Sequence, residues 1–361
     1  MSVPSTLASP VFITGYPSLV VGRLVRNLVA AGVETHVLVK DDFEDRARAD
    51  FEGLSPDLLH LYAGDVVNMD LGLSGAEARV VMDKVRTIFH LAGVYHLGVS
   101  ERGMMLVNLE GTRNALAFAR RCKRLERLVH MSTAFVAGTR EGVIMEDELD
   151  EGQTFRTKYE ESKFLAEKLV LRAGEDIPIT IARPSLIVGD SRTGEIDTLE
   201  GPHFFMYVLV NLPMNVQLPL PGHGRHPLNL IPIDFLVEVL PVIAADPDAA
   251  GLTFHLTDPN PVSARKVFEM VAELAHRKPP RGVLPPSLAA ALARMPGLKS
   301  SWRSPALLVD IFQRLVLFNA RNTTRILTPH GIACAAFPEY AARLVKYMQE
   351  HKLTSGRLAG V

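Results

Sequence analysis

Short apolar runs alternate with segments of helical periodicity along the first half of the chain. The first run covers residues 11–15 and ends in glycine, and apolar side chains then recur at helical spacing over residues 19–31. Gly32 ends this pattern, and residues 35–39 form a second apolar run. Such runs are typical of buried parallel strands, and the periodic segment between them predicts a helix. This order predicts the opening unit of a doubly wound sheet, in which a phosphate binds at the helix N-terminus.

The same alternation continues through most of the chain. Further strands are predicted at residues 60–63, 87–91, 128–131, 179–182 and 253–256. Further helices are predicted at residues 104–121, 159–172, 232–245, 263–278, 305–318 and 338–351. We therefore predict an α/β fold, with a doubly wound (Rossmann-type) parallel sheet in residues 1–190. Residues 191–361 are predicted to form a smaller, mostly helical substrate-binding region, some of whose elements return to the core.

Small or polar residues follow the predicted strands. Ala92 and Gly93 follow one strand, and Ser132 and Thr133 follow the next. In an open parallel sheet the C-terminal ends of the strands line one edge, and ligands bind there. We therefore expect these four residues to share an edge with Gly15.

Tyr159 and Lys163 are four residues apart in a predicted helix, which places both side chains on one face. A neighbouring ammonium favours the phenolate, so it lowers the tyrosine pKa from about 10 and allows proton exchange near neutral pH. The Thr133 hydroxyl would hold a substrate oxygen beside this pair. The spacing alone also arises by chance, so the interpretation depends on the shared sheet edge.

The loop after Gly15 departs from the glycine pattern of dinucleotide-binding loops. Ser18 and Val21 stand where the second and third glycines are expected, and Gly22 comes one residue late. Pro17 removes one backbone N–H from the turn. The Ser18 hydroxyl can donate to a phosphate, whereas Val21 is expected to push the helix slightly off the strand. An α/β unit without a nucleotide is the alternative interpretation.

Lys40 directly follows the second predicted strand, and Asp41 and Asp42 come after it. A cation at this position favours the 2′-phosphate of NADP, whereas a carboxylate favours the ribose diol of NAD. Because the lysine comes first, we predict NADPH, with NADH as the alternative. A solvated surface lysine is the competing interpretation.

Composition narrows the class of protein. The chain has 361 residues with 47% hydrophobic and 22% charged residues, a net charge of −1, and two cysteines. This balance predicts a globular cytoplasmic protein without a nucleic-acid partner, a disulfide framework or a zinc site. Residues 204–220 are apolar but interrupted by prolines, so we predict no membrane span. The histidines of residues 222–226 are interpreted as part of a polar loop, and no metal is predicted.

The last third of the chain gives weaker signals. Residues 280–304 are rich in proline, alanine and leucine, and the helices predicted after them are apolar on one face. Such helices usually pack on the core or on a subunit partner, which predicts a monomer or a homodimer. The alternative is that they cover a lipid-like substrate or contact a membrane surface.

Together these stretches resemble the extended short-chain dehydrogenase/reductase family. The nearest likeness is to its branch of fatty acyl-CoA reductases, thioester reductase domains and male sterility proteins. The matching segments are residues 14–15, 64–66, 71–74, 90–93, 108–112, 132–136, 159–167, 183–191 and 193–195. Two segments are specific to the branch, namely Leu-Gly-Leu-Ser and the run Arg-Pro-Ser…Gly-Asp-Ser…Thr-Gly-Glu. The Tyr-x-x-x-Lys motif is specific only to the superfamily.

The resemblance implies roles for four catalytic residues. Thr133 would orient the substrate carbonyl, and Tyr159 would donate the proton. Lys163 would lower the tyrosine pKa and bind the nicotinamide ribose. Asn108 matches the Asn-x-x-Gly-Thr element, which implies a place in a proton relay, while a satisfied structural amide is the alternative.

The resemblance also implies the cofactor contacts. They are Gly15, Tyr16, Pro17, Ser18 and Leu19 in the first loop, Lys40, Asp65 and Val66 at the adenine end, Leu91, Ala92 and Gly93 along the chain, and Tyr159, Lys163, Pro184 and Ser185 near the nicotinamide.

The sequence therefore predicts an NADPH-dependent reductase of a carbonyl or acyl thioester on an apolar substrate, carried by CoA or a carrier protein. A ketone or hydroxysteroid-type dehydrogenase, or a sugar-nucleotide epimerase, is the alternative on the same frame. A nucleotide-binding scaffold with a degenerate glycine loop is the non-enzymatic alternative.

Overall fold

The computed structural model describes residues 3–95, 99–196, 202–211, 213–214, 217–284 and 314–351. The strands are β1 Val11–Tyr16, β2 Thr35–Val39, β3 Leu59–Ala63, β4 Thr87–His90, β5 Arg127–Met131, β6 Gly142–Ile144, β7 Ile179–Pro184, β8 Leu186–Val188, β9 Leu220–Pro221, β10 Leu230–Pro232, β11 Thr253–Leu256, β12 Val283–Leu284 and β13 Val316–Phe318. The helices are α1 Leu19–Ala30, α2 Glu44–Asp50, α3 Gly75–Lys84, α4 Glu101–Met104, α5 Gly111–Ala119, α6 Lys158–Ala173, α7 Pro202–Asn211, α8 Ile233–Ala245, α9 Ala264–Leu274, α10 Arg321–Leu327 and α11 Phe337–Glu350.

Seven strands form the central sheet in the order β3–β2–β1–β4–β5–β7–β11. Every neighbouring pair is parallel. The strand order reverses between β1 and β4, which opens a crevice at the carboxyl ends of these strands. The predicted doubly wound α/β fold is confirmed.

Alternation of side chains across β1 explains how the helices cover both faces of the sheet. Phe12 packs with apolar residues of α3 and α5, and Ile13 packs with residues of α1 and α8. Both side chains are fully buried. A parallel strand that is covered on both faces has a continuous apolar run in its sequence, which is why the apolar run at residues 11–15 predicted this strand.

Two predicted helices differ from the structure. Residues 101–119 are helical, but the middle, Met105–Glu110, widens into a π-helical turn between α4 and α5. The helix predicted at residues 305–318 lies outside the described residues up to residue 313. At its end, β13 pairs with β6 as a strand, so the helix prediction is wrong there. Most of the Pro-rich segment at residues 280–304 also lies outside the described residues.

The residues after position 190 divide between two cores. α8, β11 and α10 contribute to the core of the main sheet. α7, α9 and α11 form a second core with residues of β8 and β10. The ring of Phe205 in α7 lies 4.5 Å from that of Phe268 in α9, so described apolar residues of the stretch 204–220 are used in packing. None of the helices described is both long and apolar enough to cross a membrane.

A buried ion pair fixes α6 to the sheet. Glu167 in α6 and Arg183 in β7 are 0% and 1% exposed. Arg183 donates from Nε and Nη2 to one carboxylate oxygen of Glu167, at 2.9 and 2.6 Å. The other oxygen accepts a hydrogen bond from the Ser132 hydroxyl, just after β5. One carboxylate therefore joins α6 to two strands where they reach the ligand-binding edge.

The same arginine connects this pair to the C-terminal region. Arg183 Nη1 lies 3.3 Å from the Glu146 carbonyl oxygen and 3.2 Å from His255 Nε2. His255 Nδ1 lies 2.7 Å from the Asn319 carbonyl oxygen. A carbonyl can only accept, so the imidazole proton is on Nδ1 and Nε2 accepts from the arginine.

Glu146 completes the connection at the N-terminus of α10. Its carboxylate accepts from the backbone N–H groups of Asn322 and Thr323, at 2.6 and 3.2 Å. It also accepts from the His255 N–H in β11, at 3.0 Å. A carboxylate at this position satisfies helix N–H groups that have no partner within the helix. The network therefore couples α10 to β11 and, through Arg183, to α6.

Replacement of Glu167 by glutamine is expected to lower the free energy of unfolding by about 3 kcal/mol, because the Arg183 guanidinium stays buried without a counter-charge. The measurement is urea unfolding followed by circular dichroism. Glu161→Gln is the matched control on the same helix, since Glu161 pairs at 2.7 Å with Lys158 and both are about two-fifths exposed. That exposed pair is expected to contribute far less to the free energy of unfolding, because solvent screens its charges. Equal losses in the two variants would contradict the role given to Glu167.

Candidate active site

α6 presents Tyr159, Lys163 and Glu167 one turn apart on a single face. The helix begins after Thr157, whose hydroxyl accepts a hydrogen bond from the Glu160 N–H at 3.2 Å and so caps the first turn. This start places Tyr159 in the first turn, at the level of the sheet edge. The helix predicted at residues 159–172 is confirmed, and with it the shared face of Tyr159 and Lys163.

Thr133 and Tyr159 meet through a side-chain hydrogen bond. The Thr133 hydroxyl also lies 3.4 Å from the Pro184 carbonyl oxygen and accepts from the Phe135 N–H at 3.3 Å. Thr133 is 3% exposed, so these contacts fix the position of its hydroxyl. The structure brings together two of the residues to which the sequence assigned catalytic roles.

Burial raises the pKa of Tyr159 to about 12, because the phenolate loses hydration. The hydrogen bond with Thr133 acts to lower this pKa, and the charge of Glu160 adds to the increase. The sequence led us to expect a pKa lowered by Lys163. The structure differs because the Lys163 ammonium donates to the carbonyl oxygen of Met131. Tyr159 is therefore a neutral phenol near pH 7 and has a proton to donate.

Lys163 is 3% exposed and faces the loop after β4. Burial lowers the pKa of its ammonium to about 8, while the negative charge of Glu167 acts in the opposite direction. A Cβ atom added at Gly93 would lie 3.6 Å from Lys163 Nζ and 3.3 Å from Asn108 Oδ1. The glycine thus leaves space directly in front of the ammonium.

Asn108 is fully buried, and its side chain bridges the loop after β4 and α6. Its amide oxygen accepts from the Val94 N–H at 2.8 Å, and its amide nitrogen donates to the Val94 carbonyl and to the Ser162 hydroxyl, both at 2.9 Å. Both amide hydrogens are used in this arrangement. Asn108 therefore fixes the distance between the Gly93 loop and α6.

A chain of buried hydrogen bonds lies beneath this loop. The Thr112 hydroxyl donates to the Asn108 carbonyl at 2.7 Å and lies 3.1 Å from His90 Nε2, so Nε2 carries the proton. His90 Nδ1 then accepts from Thr14, 2.9 Å away. Burial, followed by the charge of Lys163, lowers the pKa of His90 to about 3. The neutral imidazole joins β1, β4 and α5 below the edge.

Gly15 lies where the backbone of β1 approaches the end of β4. Its φ is +108°, and an added Cβ would stand 2.7 Å from the Leu91 carbonyl carbon and 2.8 Å from the Ala92 nitrogen. A side chain cannot be accommodated here. The structure therefore places the predicted residues Gly15, Leu91 and Ala92 side by side on the edge, with the Leu91 side chain packed against the main core.

The residues that follow Gly15 do not all line the sheet edge. The Tyr16 hydroxyl donates to Asp50 at 2.7 Å, and its ring lies 5.4 Å from that of Phe51. Tyr16 is 7% exposed, so its side chain packs under α2 rather than lining the edge. The peptide bond between Tyr16 and Pro17 is cis.

Ser18 precedes α1 in an extended conformation, and its side chain makes no capping hydrogen bond to the helix. Leu19 packs partly buried against the main core, and Val21 is fully buried in it. The valine at the third glycine position is thus used for packing α1. The Ser18 hydroxyl and the helix N-terminus stand at the point where a pyrophosphate binds in doubly wound folds.

Arg23 was not identified from the sequence, although it connects two of the matching segments. Its guanidinium, in α1, forms ion pairs with Asp190 and Glu195 in the segment after β8. The other oxygen of Asp190 accepts from the N–H groups of Arg192 and Thr193 at 2.8 and 2.7 Å. The Gly-Asp-Ser…Thr-Gly-Glu run is therefore fastened to the helix that opens the nucleotide-binding unit.

Lys40 and Asp65 meet at the far end of the edge, where Lys40 Nζ lies 3.8 Å from Asp65 Oδ2 and both side chains are partly exposed. Val66 is 6% exposed and packs against Gly111 in α5, so its side chain belongs to the core. At the other end, the Ser185 hydroxyl donates to Asn229 at 2.7 Å.

Several residues that shape the site were missed. Tyr95 stands edge-on to Tyr159, with ring centroids 6.4 Å apart, but it follows β4 in a loop without a periodic signal. Ser162 binds Asn108, and Glu167 holds Arg183. For Glu167 a signal did exist, since it continues the four-residue spacing of Tyr159 and Lys163.

The residues on this edge fit a nicotinamide dinucleotide. Gly15 and Gly93 leave backbone uncovered, and a lysine cation faces the uncovered stretch at Gly93. The partly exposed Lys40 and Asp65 stand about where the adenosine half ends in a doubly wound fold.

Comparison with known proteins gives a family. The male sterility protein family of NAD-binding domains matches residues 23–240. Fatty acyl-CoA reductase wat of Drosophila melanogaster is 25% identical over 246 residues, which cover 60% of this chain and 47% of that protein. The chain thus spans about half the length of this relative.

Two further similarities extend over more of the chain. A 4-hydroxy-2-methyl-3-oxo-4-farnesyl-3,4-dihydroquinoline-1-oxide ketoreductase of Stigmatella aurantiaca is 25% identical over 81% of this chain and 80% of its own length. The terminal R domain of the myxalamid PKS-NRPS pathway superposes with a TM-score of 0.78 at 24% identity, covering 94% of this chain and 90% of that one. This last similarity concerns the fold. The match over residues 23–240, more than half of the chain, shows that the protein belongs to the male sterility protein family of NAD-binding domains.

Proposed function

We propose that the chain is an NADPH-dependent reductase that acts on a carbonyl group or an acyl thioester of an apolar substrate. The observation that carries this proposal is the contact of Thr133 with the protonated Tyr159, one helical turn from a lysine ammonium that faces Gly93. A proton donor, a hydroxyl that orients an oxygen and a cation beside the cofactor path are the groups that carbonyl reduction requires.

The reduced nicotinamide, when bound, supplies a hydride to the carbonyl carbon. As the C=O π electrons move to oxygen, the Tyr159 O–H bond breaks and its proton goes to that oxygen. The Thr133 hydroxyl holds the same oxygen within reach of the phenol. The Lys163 ammonium, held by the Met131 carbonyl and by the charge of Glu167, would bind the nicotinamide ribose across the open space at Gly93. With a thioester, this addition gives a hemithioacetal. Its hydroxyl proton then passes to the sulfur as the C=O bond re-forms and the C–S bond breaks, which yields an aldehyde and the free thiol.

Asn108 is assigned a positioning role, because its side-chain hydrogen bonds go to Val94 and Ser162. Lys40 is assigned to the 2′-phosphate of NADPH, since it follows β2 directly, whereas Asp41 and Asp42 are exposed in the next turn. Ser18 is assigned to the pyrophosphate.

The thioester substrate class is supported by the relatives named as fatty acyl-CoA reductases, which the chain covers in part. A ketone reductase is the second candidate, because the Stigmatella ketoreductase matches over four-fifths of both chains. Tyr95, 46% exposed beside Tyr159, presents an aromatic surface that suits an apolar substrate in either case. A thioester substrate would arrive on CoA or on a carrier protein.

Tyr159→Phe is expected to lower kcat/KM at least 100-fold, because it removes only the donated proton. The measurement is NADPH oxidation at 340 nm with separate panels of acyl-CoA thioesters, aldehydes and ketones, repeated with NADH. Tyr347→Phe on α11 is the matched control and is expected to retain full activity. The substrate panel that supports NADPH oxidation decides whether the substrate is a thioester or a ketone. Equal rates for the wild type and Tyr159→Phe on every responding substrate would refute the role of Tyr159.

The pH profile of kcat/KM is expected to fall with a one-proton slope as the pH rises through about 8. Lys163 loses its ammonium proton there, whereas Tyr159 keeps its proton to a pKa of about 12. Glu167→Gln is expected to move this descent to lower pH, because the glutamate charge raises the pKa of Lys163. A profile that stays flat to pH 10, or a descent that does not move in the folded variant, would contradict the assignment to Lys163.

A further inference from the structure

A second cluster of ligating side chains lies at the opposite end of the β2–β3 pair from the sheet edge described above. Glu34 precedes β2, His36 is near the start of β2, and His60 is near the start of β3. His36 and His60 are direct partners in the register of the two parallel strands, and their ring centroids are 4.8 Å apart. Among the residues that the structure describes, these three form the one group able to offer three or more ligands to a single metal ion.

The distances within this cluster match those of a metal site. Glu34 Oε1 lies 3.2 Å from His36 Nε2 and 3.6 Å from His60 Nε2. All three ligand atoms lie within 4.8 Å of one another. A zinc ion bound at about 2.1 Å in tetrahedral geometry separates its ligand atoms by about 3.4 Å. The two separations from Glu34 Oε1 lie within a few tenths of an ångström of this value, and the third separation lies within 4.8 Å.

We propose that Glu34, His36 and His60 bind a divalent transition-metal ion of the zinc type, with water as the fourth ligand. Two imidazole nitrogens and one carboxylate oxygen form a ligand set that zinc prefers. The side chains of Glu34 and His60 are 31% and 36% exposed, so one side of the cluster is open to solvent. His36 is 2% exposed and forms the floor of the site.

The backbone and a neighbouring hydroxyl preorganise these ligands. The Glu34 carbonyl accepts from the Val11 N–H at 2.9 Å, which fixes the residue to β1, while both histidines are held in the sheet. The Tyr62 hydroxyl lies 3.0 Å from His36 Nδ1. With a metal on Nε2, the imidazole proton lies on Nδ1 and donates to Tyr62. Such an outer hydrogen bond orients the ring and strengthens the ligand.

Hydrogen bonding alone is the competing explanation for the cluster. A carboxylate placed between two imidazoles is stable without an ion. The positive charge of Lys84 in α3 also helps to lower the pKa of His36. The two explanations differ in their consequences. A metal would connect Glu34 and β2 to β3, an edge strand of the sheet, and would stabilise β3 beyond its pairing with β2.

The test is a calorimetric titration of the tag-free full chain with Zn²⁺ alone, combined with thermal unfolding. One ion per chain with a dissociation constant in the micromolar range or below is expected, with a rise in Tm. His60→Ala and Glu34→Gln are each expected to weaken binding at least tenfold and to abolish the rise in Tm. Both residues are partly exposed, so the variants are expected to fold, which circular dichroism checks. His223→Ala, at an exposed position in the loop of residues 222–226, is the matched control and is expected to bind as the wild type does.

One further variant tests the outer hydrogen bond. Tyr62→Phe is expected to weaken zinc binding about tenfold through loss of that bond. Co²⁺ in place of Zn²⁺ is expected to give the visible absorption of a tetrahedral site. Binding weaker than the micromolar range, or unchanged binding in both His60→Ala and Glu34→Gln, would overturn the proposal.

Discussion

The buried ion pair between Glu167 and Arg183 is the constraint on which the arrangement of the active site depends. It lies one turn below Lys163, on the face of α6 that carries Tyr159, and it reaches Ser132 immediately before Thr133. A charge pair that is almost fully buried has little freedom to move, because separation of its partners would leave both charges unsolvated. The position of α6 along the sheet, and with it the distance from Tyr159 to Thr133, is therefore set by contacts outside the proposed reaction.

A different set of ion pairs holds the helix that follows the unusual nucleotide loop. Val21 fills the core under α1, and Tyr16 turns toward Asp50, so the loop after Gly15 lacks the close packing that three glycines give. The helix is instead held by Arg23, which binds Asp190 and Glu195. The ion pairs of Arg23 thus hold α1 in place of close glycine packing. Their partners lie more than 160 residues away along the chain.

Much of the fold could be predicted because parallel strands buried on both faces leave continuous apolar runs, as at residues 11–15 and 35–39. The shared face of Tyr159 and Lys163 followed from helical spacing. The raised pKa of Tyr159 could not be predicted, because it depends on burial and on the Lys163 ammonium binding Met131 rather than the phenol. The strand at residues 316–318 was missed because its pairing with β6 is a long-range contact that local periodicity does not encode.

We propose that the edge formed by Gly15, Gly93 and Lys163 holds a nicotinamide cofactor beside Tyr159. Calorimetric titration with NADPH of the wild type, Lys163→Met and Lys168→Met tests it most directly, since Lys168 lies on the same helix and is partly exposed. One NADPH per chain is expected for the wild type and Lys168→Met, with at least tenfold weaker binding for Lys163→Met. Absence of NADPH and NADH binding to the folded wild type, or equal affinity in all three proteins, would contradict it.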